Sequence, residues 1–238
     1  MSSSNGSSGS EKSFTLAVPD ADLELLQKKL ALATLPDELD DAGWAYGAPL
    51  VDIKRLVEHW KNGFDWRASE AAINKVPQFT RDIEVDGFGT LNVHYAHQKS
   101  ESESAIPLLF IHGWPGHFME GAKIMHLLTA VKPNEPSFHF VAISLPAFGF
   151  SEAPKKKGFS IQHHAEVSHK LMLALGYDHD KWFKEEIGVT SWTRGIGNVV
   201  FEAEHEEGGH FAAFERPDDL AADLKKMFRE NGGVKFKA

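Results

Sequence analysis

Two short turns carry the residues best placed by type and spacing to do chemistry. His112-Gly-Trp-Pro-Gly116 directly follows the apolar run Ile106-Pro-Leu-Leu-Phe-Ile111. A tight turn after a buried strand can aim main-chain N–H groups at a developing oxyanion. His112, Gly113, Trp114 and Pro115 are therefore candidate oxyanion-hole or pocket residues, although the segment also reads as an ordinary strand-to-helix turn. Ser144-Leu-Pro-Ala-Phe-Gly-Phe-Ser151 is a second sharp turn, after a second apolar run. Both should open on one edge of an α/β sheet, where ligands bind. A nucleophile is harder to find. A nucleophile elbow needs small residues on either side of its reactive group, and no Gly-x-Asp-x-Gly or Gly-x-Ser-x-Gly occurs.

The elements that would position these turns follow from hydrophobic period. Pro19 and Asp20 open a helix in which Leu23, Leu26, Leu30 and Ala33 share a face, and Leu50, Ile53, Leu56, Val57 and Trp60 mark a second helix. Phe79, Ile83 and Val85 alternate with polar residues, as do Leu91, Val93 and Tyr95, across Asp86-Gly-Phe-Gly89. That is a β-hairpin signature. The continuous apolar runs at 106–111 and 138–145 suit strands buried on both faces. Helices are expected at 118–131, 160–175 and 217–229, with a strand at 198–203, so the fold class is α/β.

With 238 residues, 42% of them hydrophobic, the chain can build one sizeable core. Its net charge of -9 argues against nucleic acid as a partner. The absence of cysteine excludes disulfides and thiolate metal sites. Met1–Ser10 is polar and Gly/Ser-rich after its first residue, with no apolar core of a secretory signal, and no window has the ~20 apolar residues of a membrane span. A soluble, cytoplasmic protein is expected. A metal-dependent reading would use His163, His164 and His205, yet no His-Glu-x-x-His spacing supports it. No cofactor is expected.

His-Gly-Trp-Pro at 112–115, followed by Ser-Leu-Pro-Ala-Phe-Gly-Phe-Ser at 144–151, resembles the microsomal-type epoxide hydrolases of the α/β-hydrolase superfamily. Trp44-Ala-Tyr-Gly47, Phe64-Asp-Trp-Arg67 and Pro77-Gln-Phe79 are similar to that family's N-terminal extension. Gly208-Gly-His-Phe-Ala-Ala-Phe-Glu215 resembles its catalytic-histidine segment. The resemblance implies a flexible tail at 1–13, an extension at 14–78, the first part of the hydrolase core at 79–180 and its last part at 181–238. It also implies a small-molecule epoxide substrate and a two-step reaction. A carboxylate opens the epoxide to an alkyl ester, and a histidine-activated water then releases a diol. His210 would be the base, since imidazole takes up and returns a proton near neutral pH, and the two glycines before it would let the ring enter a crowded site. Glu186, in Phe183-Lys-Glu-Glu186, would orient it, with Glu185 as the alternative; the Trp114 N–H would serve the oxyanion.

The pattern breaks after Leu175-Gly-Tyr177. The family continues there into a strand and a Gly-Gly-Asp-Trp-Gly turn that holds the nucleophile. Here the nearest carboxylates, Asp178 and Asp180, lack the following glycine and read as surface loop. The interval Tyr177–Gly209 is too short for the missing strands, elbow helix and lid, because one βαβ crossover already takes about 30 residues. Tyr46, Tyr95 and Tyr177, the only tyrosines, all lie outside the lid position. The expected product is an incomplete α/β-hydrolase sheet with an N-terminal helical extension and a β-hairpin. Activity should be impaired, and strand edges left without partners should expose apolar surface and favour self-association.

Overall fold

The computed structural model describes residues 9–177, 181–183, 201–229 and 232. These divide into two units, one of residues 16–75 and the other drawn from 1–15 and 76–238.

The smaller unit holds helices α1 (Asp20–Ala31), α2 (Leu50–Asn62) and α3 (Trp66–Ile73). Polar side chains organise it. The Asp65 carboxylate caps α3 by accepting the Ala68 N–H at 3.0 Å. One turn on, Glu70 accepts from the Val18 N–H at 2.7 Å, the Arg67 guanidinium at 2.7 Å and the Trp66 indole at 3.3 Å. Asn74 pairs both ways with the Leu16 main chain at 2.8 Å. The segment leading into α1 is thereby stitched onto α3. By contrast α2 buries none of its residues, and Leu39, Trp44, Tyr46, Val51, Leu56, Trp60 and Phe64 are exposed.

The larger unit is built on a mixed sheet of β1 (Lys12–Ser13), β2 (Gln78–Val85), β3 (Gly89–Gln98), β4 (Ile106–Ile111), β5 (Phe138–Ile143) and β6 (Lys181–Phe183). The spatial order is β1-β2-β3-β5-β4-β6. β1, β2, β3 and β5 pair antiparallel, whereas β4 runs parallel to both β5 and β6. Alternation along each strand sends side chains to two faces. Val93, Tyr95, Leu109, Val141 and Ile143 meet Val167, Leu171 and Met172 of α5 (Ile161–Ala174). On the other face Phe110 stacks on Phe140, centroids 5.9 Å apart, and Phe138 meets Phe228 edge-on at 5.5 Å. That side carries a 3-10 turn (Phe118–Gly121), α4 (Ala122–Thr129), α6 (Ala212–Glu215) and α7 (Pro217–Met227). α5 ends where Gly176 takes φ +88° and the Tyr177 N–H reaches back to the Met172 carbonyl at 3.0 Å. This six-residue closure satisfies a free carbonyl at the helix end.

The hairpin, both buried strands and the long helix lie where hydrophobic period placed them. One expectation is corrected. Residues 201–203 are not a strand; the rest of the expected 198–203 strand lies outside the described residues. Lys181–Phe183, just beyond the break in the family pattern, forms a parallel strand beside Leu108–Phe110. Three residues with no alternation to read give no sequence signal; the register of β4 supplies it. Among the described residues no large exposed hydrophobic lies on β1–β5, while nine lie in residues 16–75.

Candidate active site

Because β4 and β5 are parallel, with Ile111 aligned to Ile143, the two turns that follow them open on the same sheet edge. In the first, the Trp114–Pro115 peptide is cis and the Trp114 side chain is exposed. The 3-10 helix begins at once: the Glu120 carboxylate accepts the His117 N–H at 2.8 Å, and the His117 ring accepts the Met119 N–H at 3.3 Å. Sequence position puts His112 in this turn without saying what its ring does. The structure buries it, with Nδ1 3.0 Å from the Gly113 carbonyl and Nε2 accepting the Leu145 N–H at 3.2 Å. Burial pulls its pKa down against the opposing pull of that carbonyl.

The second turn is stitched to β3. The Ser144 N–H donates to the His94 carbonyl at 2.9 Å, and the Glu152 N–H to the Asn92 carbonyl at 2.8 Å. Ser151 Oγ donates to the Ser144 carbonyl at 2.6 Å and accepts the His94 N–H at 2.8 Å. Beneath it lies a residue that sequence reasoning missed. His94 is fully buried, with Nδ1 2.9 Å from Ser144 Oγ and Nε2 3.2 Å from Gln78 Oε1. Phe14, Phe118 and Phe150 surround it edge-on, and burial pushes its pKa down to about 4. A single histidine in an alternating strand gives no warning of this.

His210 is exposed, its ring 4.7 Å from that of Phe211. The preceding glycine makes room for Glu215. A Cβ on Gly209 would lie 2.8 Å from a Glu215 carboxylate oxygen, and that carboxylate accepts the Phe211 N–H at 3.0 Å. The α6 turn that follows packs on the 3-10 helix and on α4, so the segment borders the first turn's flank. Glu185, Glu186, Asp178 and Asp180 lie outside the described residues. Tyr46 is exposed, Tyr95 O–H donates to Glu11 at 2.5 Å, and Tyr177 O–H lies 3.0 Å from His97 Nε2. His163 sits 2.9 Å from Ser160 Oγ and His205 2.6 Å from an Asp223 oxygen, on different elements. Among the described residues no three groups are gathered to hold a metal, and no helix is long and apolar enough to cross a membrane.

A mixed sheet flanked by helices, with turns after two parallel strands sharing one edge, defines a partial α/β-hydrolase fold, and the α/β hydrolase family model matches residues 106–183. That match runs through β6. The model for the epoxide hydrolase N terminus matches residues 11–121. The chain belongs to the epoxide hydrolase family. It is 36% identical over 172 residues to epoxide hydrolase 1 of Sus scrofa, covering 69% of this chain and 37% of that protein. Among solved structures, Aspergillus niger epoxide hydrolase aligns with a TM-score of 0.60 at 35% identity, over 70% of this chain and 43% of that one. Juvenile hormone epoxide hydrolase from Bombyx mori aligns with 0.64 at 25% identity, over 72% and 45%. The chain thus spans less than half the length of these relatives.

Proposed function

We propose that the chain is an epoxide hydrolase-like protein whose site receives a small-molecule epoxide but is impaired in turning it over. The complete reaction would be attack of a carboxylate on an epoxide carbon with opening of the C–O bond, then hydrolysis of the resulting ester by water to a vicinal diol. His210 would activate that water and Glu186, or Glu185, would orient the ring, while the Trp114 N–H would face the developing oxyanion. The observation that carries the reading is at β6. This strand points toward the edge where the two turns open, yet the sequence holds no glycine-flanked carboxylate to follow it. Without a nucleophile there is no covalent step for the remaining groups to assist. Diol formation from an aryl epoxide by the purified chain tests this, with His210→Ala beside it. Robust turnover abolished by that substitution would overturn the impaired reading.

A second reading, a non-catalytic self-associating module, is favoured by the exposed aromatics and aliphatics of residues 16–75. Concentration-dependent assembly in light scattering, weakened by Trp44→Ser with Tyr46→Ser, supports it; a monomer at all concentrations removes it.

A further inference from the structure

The second turn is gripped at two successive residues by two histidines, one from β3 and one from the turn after β4, and the partners of both rings fix where their protons sit. Gln78 Nε2 donates to the Val76 carbonyl at 3.3 Å, which turns its Oε1 toward His94. An amide oxygen only accepts, so His94 Nε2 carries the proton and Nδ1 accepts the Ser144 hydroxyl. At His112 the assignment is reversed. A main-chain N–H only donates, so Nε2 accepts from Leu145, and Nδ1 carries the proton toward the Gly113 carbonyl.

We infer that His94 and His112 are positioning residues, two uncharged imidazoles of opposite tautomer that clamp Ser144 and Leu145 and thereby set the second turn against the oxyanion turn. His94 holds the floor of the clamp and His112 bridges its mouth, linking the carbonyl of Gly113, just before Trp114, to the N–H of Leu145. Protonating either ring turns its accepting nitrogen into a donor and sets it against the Ser144 hydroxyl or the Leu145 N–H. The charged and titratable groups that bear on His112 are Glu120, His117 and, from α5, His164. The neighbours of His94 are uncharged: Gln78, Ser144, Phe14, Phe118 and Phe150. Glu120 and His117 thus bear on His112 in opposite senses, whereas burial alone acts on His94. This inference rests on reading Gly113-Trp114-Pro115 as the oxyanion turn for its consequence, but not for its geometry.

Ring-nitrogen NMR on the full chain near neutral pH should find the proton on Nε2 of His94 and on Nδ1 of His112. On acidification the Leu145 and Trp114 amide resonances should move with one shared midpoint, and the exchange protection of Leu145 should fall about tenfold, as for loss of one buried hydrogen bond. His112→Gln can still offer an acceptor at the Nε2 position, so it should keep Leu145 protected and abolish the titration of both amides. His112→Asn reaches only toward Gly113 and should lose the protection at all pH values. Either ring in the opposite tautomer, separate midpoints for the two amides, or unchanged protection in His112→Asn overturns the clamp. Should His112→Asn fail to fold, the wild-type tautomers and the His112→Gln titration decide the matter alone. An added aryl epoxide that leaves the Trp114 amide unmoved, with tautomers and titration as described, would remove the site reading and leave the clamp standing.

Discussion

Replacing His94 by Asn should flatten the acid limb of the stability curve. Folded His94 is pushed down to about 4 from 6.5 by burial. The unfolded chain therefore takes up a proton below pH 6.5 that the folded chain refuses until near pH 4. More protons on the unfolded side mean that stability is fully present above 6.5 and drains away as pH falls through that window. At 1.36 kcal/mol per pH unit the whole gap is worth about 3 kcal/mol, of which about 2 kcal/mol is lost between pH 7 and pH 5. The side chain is fully buried, so solvent screening removes little of this. Asparagine keeps an acceptor near the Nδ1 position for Ser144 and cannot titrate. Urea unfolding at a series of pH values for both proteins isolates the difference. His97, also near 4, and the carboxylates of Glu70, Asp86, Glu135 and Glu152, held low by their hydrogen bonds, titrate alike in both and cancel. Parallel curves for wild type and variant would show that the buried ring does not shape the acid limb.

Other substitutions probe the frame around the site. Phe228→Ala removes the edge-on partner of Phe138 and should cost about 3–4 kcal/mol in denaturant unfolding. Lys225 is buried and pairs with Glu135 at 2.9 Å. Glu135→Ala strands that ammonium and should cost about 3 kcal/mol, whereas Lys225→Met, which leaves a solvent-reached carboxylate beside Arg229, should cost about 1 kcal/mol or less. Equal costs would show that the lysine is not desolvated. Asp65→Ala should lower stability by about 1 kcal/mol through loss of the α3 cap, with Asp65→Asn largely preserving it.

Local patterning made the scaffold readable. The hairpin shows in the alternation either side of Asp86-Gly-Phe-Gly89, and β4 and β5 in their unbroken apolar runs, because burial on one face or two writes itself into neighbouring residues. What failed to show depends on partners far along the chain. His94 meets Gln78 across 16 positions and Ser144 across 50, and His112 meets Leu145 across 33. Position alone flagged His112 as part of a turn; only its neighbours reveal that the ring staples two turns together. The glycines before His210 show a related limit of local reading. They read as room for the histidine, while the space serves the Glu215 carboxylate. Glu185 and Glu186 lie outside the described residues, so their part in the site stays with the proposed function.

The anchoring of α7 has a consequence for how this chain could be divided. Leu224 and Phe228 are buried, Phe228 abuts Phe138 at the start of β5, Lys225 pairs with Glu135, and the Lys123 ammonium sits 3.5 Å over the Phe214 ring. Every one of these handholds belongs to α4, β5 or the segment between them, and all are complete before Ile143. The described part of the C-terminal segment is therefore held to this platform by side-chain contacts of its own. A peptide beginning at Phe201, mixed with the chain ending at Phe183, should therefore seek the α4–β5 platform, and its capture would report on that platform's integrity with no chemistry at the site.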